Sequence, residues 1–226
     1  MIDGELATSK PPAVAARPDS RRIIALVVGI MAGIAFVTLR SVVALGDHQP
    51  LAIDVGWHTV MVSTLTEAGV ILAWIPSIIG GTIGMIVIGI LLVGIFVWRR
   101  RPWDAATIAI AIVVVVAIGA PMAAVIARLR PDDSLAETVA TSFPSGHTAV
   151  ATTIALTLGL LLRRWYVWLI GGVWVMWMMW ARTYLHAHWL SDVSAGMLEG
   201  IAVATLVWCA IEAVRDRRAA QATTEP

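Results

Sequence analysis

Lysine is almost missing from this chain: Lys10 is the only one, so nearly all positive charge is carried by arginine. Cysteine also occurs once, as Cys209 in an apolar run, which excludes an internal disulfide and a cysteine metal cage. Charge of either sign is sparse. Charged residues make up 14% of the 226 residues, hydrophobic residues 59%, and the mean hydropathy is +0.84, a balance too apolar for a soluble domain. No polar segment is long enough to form a second, soluble domain, and nothing in the composition points to nucleic acid. The chain reads as an all-α, polytopic membrane protein. The net charge of +1 is silent about partners, but the placement of the charges is not.

What is present is a series of apolar runs with polar punctuation. Residues 1–22 are polar and rich in Ala and Pro, and read as a disordered cytoplasmic tail. The run from Ile23 to Leu45 is too long for a signal peptide and lacks a small-residue cleavage site, so it is expected to stay as the first span. Asp47 to Trp74 is mixed and suits a short helix at the membrane surface. Pro76 and Ser77 then open a second span, about Ile78 to Trp98. Further spans are expected at Ala105–Ala127, Pro144–Leu162, Tyr166–Tyr184 and Trp189–Val214, with a polar tail over 215–226. The membrane domain thus covers 23–214. Gly80 with Gly84 and Gly196 with Gly200 have the spacing that lets helices approach closely.

Six transmembrane helices put both termini on one side. Lys10, Arg17, Arg21, Arg22, Arg99, Arg100, Arg101, Arg163, Arg164, Arg215, Arg217 and Arg218, twelve of the 16 basic residues, then share one face. By the positive-inside rule that face is cytoplasmic. Abundant Ala, Val, Trp and Arg with so little Lys fits a GC-rich bacterial genome, hence a bacterial plasma membrane.

Three polar segments fall on the opposite, outer face, where ionisable groups are costly to keep without a use. The first holds Arg128 and Arg130. The second is Thr141-Ser-Phe-Pro-Ser-Gly-His-Thr148, where a helix is expected to start at Pro144 with Ser142 or Thr141 as its cap. Its free N–H groups, with Gly146 letting a ligand near the backbone and Ser145 beside it, make an anion site suited to phosphate. His147 adds a proton donor next to that anion. The third segment holds Arg182, His188 and Asp192. His188 and Asp192 are four apart, so on a helix the carboxylate can take a hydrogen bond from one ring nitrogen and leave the other bare as a nucleophile. Arginine forks at 128, 130 and 182 suit phosphate oxygens.

Arg130-Pro131, then Pro144-Ser145-Gly146-His147, then Arg182 with five residues to His188 and three more to Asp192, resembles the three-part signature of the type 2 phosphatidic acid phosphatase superfamily. The resemblance spans most of the chain. It implies a six-helix lipid phosphate phosphatase with its site at the outer membrane face, working through a phosphohistidine and without metal or other cofactor. His188 would be the nucleophile, Asp192 its orienting carboxylate and His147 the general acid. Arg130, Arg182, Ser145 and Gly146 would hold phosphate. Two positions depart from the family pattern. Ala123 stands where a lysine is usual, with Arg128 the nearest source of the missing charge, and Ala181 stands where the third motif often begins with serine.

The implied substrate is a lipid phosphate monoester or diphosphate, of the phosphatidic acid, phosphatidylglycerol phosphate or undecaprenyl diphosphate type. A phosphotransferase of the same family, a non-catalytic lipid transporter or binding protein, and a metal hydrolase using His147, His186, His188 and Asp192 stay open as alternatives. His48, Asp54, His58 and Glu67 are expected at the interface or the mouth of the site, and Asp132, Asp133 and Glu137 as solvated loop charges.

Overall fold

The computed structural model describes residues 19–136 and 139–222. Eight helices carry most of them: α1 (Ser20–Leu45), α2 (Ala52–Ser63), α3 (Glu67–Ile79), α4 (Thr82–Trp98), α5 (Pro102–Ile126), α6 (Gly146–Leu162), α7 (Trp165–Tyr184) and α8 (Leu190–Ala222). Among the described residues there is no strand, only an isolated antiparallel bridge between Leu129 and Thr141.

Both expected tails are shorter than the sequence suggested. Asp19 caps α1 by accepting a hydrogen bond from the Arg21 N–H, so 19–22 belong to the helix and its entry, while 1–18 lie outside the described residues. At the other end α8 runs on to Ala222. Residues 215–222 are Ala- and Arg-rich, good helix formers, and Asp216 holds Arg22 of α1 at 2.8 Å.

The second expected span also differs. Pro76 does not open a helix but lies inside α3, and the chain breaks at Gly80 and Gly81 before α4, with a bend of 50° between the two helices. Proline leaves an unpaired carbonyl in the preceding turn and glycine carries the lowest helix propensity of the ordinary residues, so the break falls where both meet. A Cβ at Gly80 would come within 2.2 Å of Met178 Cε on α7, and one at Gly84 within 2.1 Å of the Ile79 carbonyl. Gly84 therefore serves the break itself and not a helix interface.

Among the described residues three helices, α1, α5 and α8, are long and apolar enough to cross a membrane, and α3 with α4 makes a fourth if the bent pair is one span. Large aliphatic side chains such as Ile30, Ile86, Ile90, Val113 and Ile170 face outward, as lipid contact requires. The apolar α6 is only 17 residues long, and it sits in the middle, packed on α5, α7 and α8. Close approach of α6 and α8 depends on two glycines: a Cβ at Gly196 would lie 2.4 Å from the Ser145 carbonyl oxygen, and one at Gly200 2.6 Å from that of Ala149. This packing brings the start of α6 against the start of α8, the two places where the histidines lie.

Candidate active site

Arg128 lies directly after α5, with no exposure at all, and is the hub of the site's framework. One terminal nitrogen donates to Ser191 Oγ at 2.7 Å and to Asp192 Oδ1 at 2.6 Å. The other donates to Asp54 Oδ2 at 2.7 Å and to the Gln49 carbonyl at 3.1 Å. Asp54, on α2, is itself fully buried and accepts from the Ser191 N–H and hydroxyl, each at 2.8 Å. Arg128 was expected among the phosphate ligands, but its terminal donors are taken up by two carboxylates, a hydroxyl and a carbonyl. Its charge is spent on holding α2 and α8 together.

The nucleophile expected at His188 is in the short loop between α7 and α8, 4% exposed. Arg182, the last charged residue of α7, organises that loop through its carbonyl, which accepts from the N–H groups of Ala187 and His188. Nδ1 of His188 is 2.7 Å from the Ser142 carbonyl oxygen, whereas Asp192 Oδ2 is 3.8 Å away, too far for a direct hydrogen bond. Nε2 is 3.2 Å from a terminal nitrogen of Arg130. A carbonyl can only accept and a guanidinium can only donate, so one tautomer satisfies both: Nδ1 carries the hydrogen and Nε2 the lone pair. Burial lowers the His188 pKa to about 4, with the positive charges of Arg182 and Arg130 adding to the effect and Asp192 opposing it. The imidazole is therefore neutral near pH 7.

The orienting acceptor is thus a backbone carbonyl, and Asp192 acts at one remove. Its Oδ2 accepts from the Trp189 N–H at 2.9 Å, fixing the turn that follows His188, and its Oδ1 anchors Arg128. Arg130 is fastened in turn by donating to the Val139 carbonyl at 2.7 Å and to that of Ala187. It borders a cavity of ≈ 460 Å³ lined also by His48, Gln49, Leu129, Asp132 and Trp189.

The second motif is arranged differently at its start. Phe143–Pro144 is a cis peptide and α6 begins at Gly146, two residues later than expected. Ser142 is not a cap; its N–H and hydroxyl bond back to the Arg128 carbonyl, closing the loop onto the end of α5. The N-cap is Ser145, which makes no side-chain cap and instead accepts from the Thr148 hydroxyl at 3.2 Å. Its N–H donates to the Asp192 carbonyl at 3.0 Å, tying α6 to α8. A side-chain cap does not cover the first turn of α6, and a Cβ at Gly146 would meet nothing within 4 Å, so an anion has open access to that turn.

His147 points toward the break between α3 and α4, with Nε2 3.8 Å from where a Cβ of Gly81 would stand. From the same region Ser77 of α3 accepts a 3.3 Å hydrogen bond from Arg182, which is 1% exposed. The bent α3–α4 pair thus forms one wall of the site. Ala123, where the family pattern has lysine, lies half-buried near the end of α5.

Sequence reasoning missed Ser191, Ser77 and the Ser142 carbonyl as parts of this arrangement, and it placed Asp54 at the interface or mouth of the site where the structure buries it completely against Arg128. The only local sign at Asp54 is that it accepts from the Leu51 N–H in the first turn of α2, which explains a cap and not the reach to Arg128.

The model of the PAP2 superfamily matches residues 78–216, well over half of the chain. An undecaprenyl-diphosphatase of Sulfolobus acidocaldarius is 30% identical over 113 residues, 47% of this chain and 54% of that protein, so the match spans about half of the relative's length. The crystal structure of a transmembrane PAP2-type phosphatidylglycerolphosphate phosphatase from Bacillus subtilis superposes with a TM-score of 0.71 at 18% identity, covering 82% of this chain and 96% of that one. That likeness is one of fold. With the match running from α3 to α8 and taking in all three motifs, the chain belongs to the PAP2 superfamily, the family its motifs resemble.

Proposed function

We propose that this protein is a membrane lipid phosphate phosphatase that hydrolyses a lipid phosphate monoester or diphosphate through a phosphohistidine at His188. The observation that carries the reading is the clamped imidazole: Nδ1 against the Ser142 carbonyl at 2.7 Å and Nε2 facing Arg130 at 3.2 Å. A neutral ring in that tautomer presents its lone pair beside a cation that attracts phosphate.

In this mechanism Nε2 attacks phosphorus and the bond to the lipid oxygen breaks. His147 gives its proton to that leaving oxygen, then takes one from the water that attacks the phosphohistidine, and inorganic phosphate departs with His188 restored. Arg130, Arg182, Ser145 and the N–H groups at Gly146 hold the three phosphoryl oxygens as charge builds on them. Asp192 and Arg128 act by positioning, through the turn after His188 and through α2. No step calls for a metal.

The relatives' names supply the substrate classes: an undecaprenyl diphosphate or a phosphatidylglycerol phosphate, with phosphatidic acid as a third candidate. A tail remaining in lipid while the head group reaches the arginines suits a site at a membrane face. The arginine distribution favours six crossings, α3 with α4 counted as one, both termini cytoplasmic and the site outside a bacterial plasma membrane. A helix enclosed by three others, as α6 is, can cross with fewer apolar residues than one facing lipid.

The test is phosphate release by detergent-purified protein in EDTA, with each of the three lipids, beside His188→Ala. Release that persists in EDTA and drops by on the order of 10⁴-fold or more in the variant is expected. An acid-labile phosphoenzyme should accumulate on brief mixing. Release that survives His188→Ala, or a phosphoenzyme that never forms in the active protein, would overturn the mechanism.

A further inference from the structure

Beside the catalytic residues is a second cluster that the mechanism does not use. His58 of α2, Asp133 of the loop after Arg130-Pro131, and His186 of the α7–α8 loop each offer one ligand atom, all within 4.8 Å of one another. His58 Nε2 is 3.3 Å from Asp133 Oδ1, and His186 Nδ1 is 2.9 Å from Asp133 Oδ2. Two ligands on a tetrahedral zinc ion, each at about 2.0–2.1 Å, stand about 3.4 Å apart; the two carboxylate–imidazole distances bracket that value, and the group as a whole, within 4.8 Å, would draw in slightly around an ion. The imidazole rings are 4.6 Å apart at 67°, near edge-on, an arrangement that lets both direct a nitrogen toward the same carboxylate.

Burial makes the cluster more than a surface ion pair. His186 is 2% exposed; its Nδ1 meets only the Asp133 carboxylate, at 2.9 Å but off hydrogen-bond geometry, and its Nε2 has no hydrogen-bond partner. A buried imidazole left in that state is costly, and binding a cation through Nδ1 is one way to satisfy it. Asp133 is about half exposed, which gives an ion an entry path from outside.

We propose that His58, Asp133 and His186 form a binding site for one divalent transition-metal ion, of the Zn²⁺ class, distinct from the phosphoryl-transfer residues. Two imidazole nitrogens and one carboxylate oxygen are the donor set such an ion takes, with water completing four ligands. The ion joins three segments: α2, which carries Asp54; the loop that carries Arg130; and the loop that carries His188. Its role is to brace the mouth of the site, and it takes no part in bond making. The proposal stands whether or not the protein is a phosphatase.

The experiment uses the full-length protein in detergent, stripped with EDTA and freed of chelator, titrated with Zn²⁺ alone by calorimetry and with Co²⁺ by its visible d–d absorption. One equivalent of Zn²⁺ is expected, with a tetrahedral-type Co²⁺ spectrum and a rise in Tm on loading. Asp133→Asn and His58→Gln, both at partly exposed positions where folding is least at risk, should each weaken binding at least about tenfold and abolish that spectrum. His188→Ala should leave binding intact. Absence of a one-equivalent site, binding unchanged in Asp133→Asn and His58→Gln, or binding lost in His188→Ala instead would each overturn the proposal. Because the readout is metal bound and not phosphate released, its failure is separate from that of the phosphatase reading.

Discussion

At the scale of single residues, the two arginines near the end of α5 do opposite work although they are two positions apart. Arg128 is buried between Asp54 and Asp192, each within 2.7 Å, while Arg130 reaches past it to His188. Breaking a buried ion pair by removing one partner leaves an uncompensated charge and costs about 3–5 kcal/mol. Asp54→Asn is therefore expected to lower the thermal unfolding temperature sharply, measured in detergent by tryptophan fluorescence. Arg130→Lys should differ: a point charge cannot make the fork of bonds to Val139, Ala187 and His188, so kcat/KM should fall on the order of 10²–10³-fold with a much smaller loss of stability. Comparing both quantities in both variants checks the division of roles.

Between elements, the start of α6 is placed by its contact with α8 and opened by a glycine that nothing in the fold requires. At Gly196 an added Cβ would press to 2.4 Å on the Ser145 carbonyl oxygen, which is backbone and cannot swing aside. Gly196→Ala should cost about 1–3 kcal/mol in unfolding and displace the first turn of α6. Gly146→Ala should leave stability nearly unchanged, since a Cβ there meets nothing within 4 Å, yet raise KM or lower kcat because the methyl occupies the approach to the backbone N–H groups. Stability and kinetics measured on the same two preparations separate a packing glycine from a site glycine.

For the whole molecule, the arrangement of arginines predicts which face labels from outside. Cys209, the only thiol, is buried, so Cys209→Ser provides a clean background. In intact cells, a membrane-impermeant maleimide should label Asp132→Cys, beside the site, and not Arg164→Cys, between α6 and α7. Labelling in the reverse pattern would place the site in the cytoplasm. Labelling of both, in sealed cells, would contradict an odd number of crossings between residues 132 and 164.

Legible in the sequence alone were the class of fold and the candidate reacting groups. Long apolar runs need helices in lipid, and the spacing of Pro144-Ser145-Gly146-His147 and Arg182 to Asp192 names the side chains, because local backbone geometry and residue chemistry are short-range properties. What each group touches is set by how the helices pack. The acceptor that sets the His188 tautomer is a main-chain oxygen at Ser142, which no residue type announces, and the partner of Arg128 at Asp54 is 74 residues away. The break at Gly80 and Gly81 is visible as composition, but that it turns Ser77 toward Arg182 depends on how α3 packs on α7. Such contacts follow from the packing of whole helices, in which small residues such as Gly196 set the distance of approach, and that is a property of pairs of surfaces and not of any one stretch of chain.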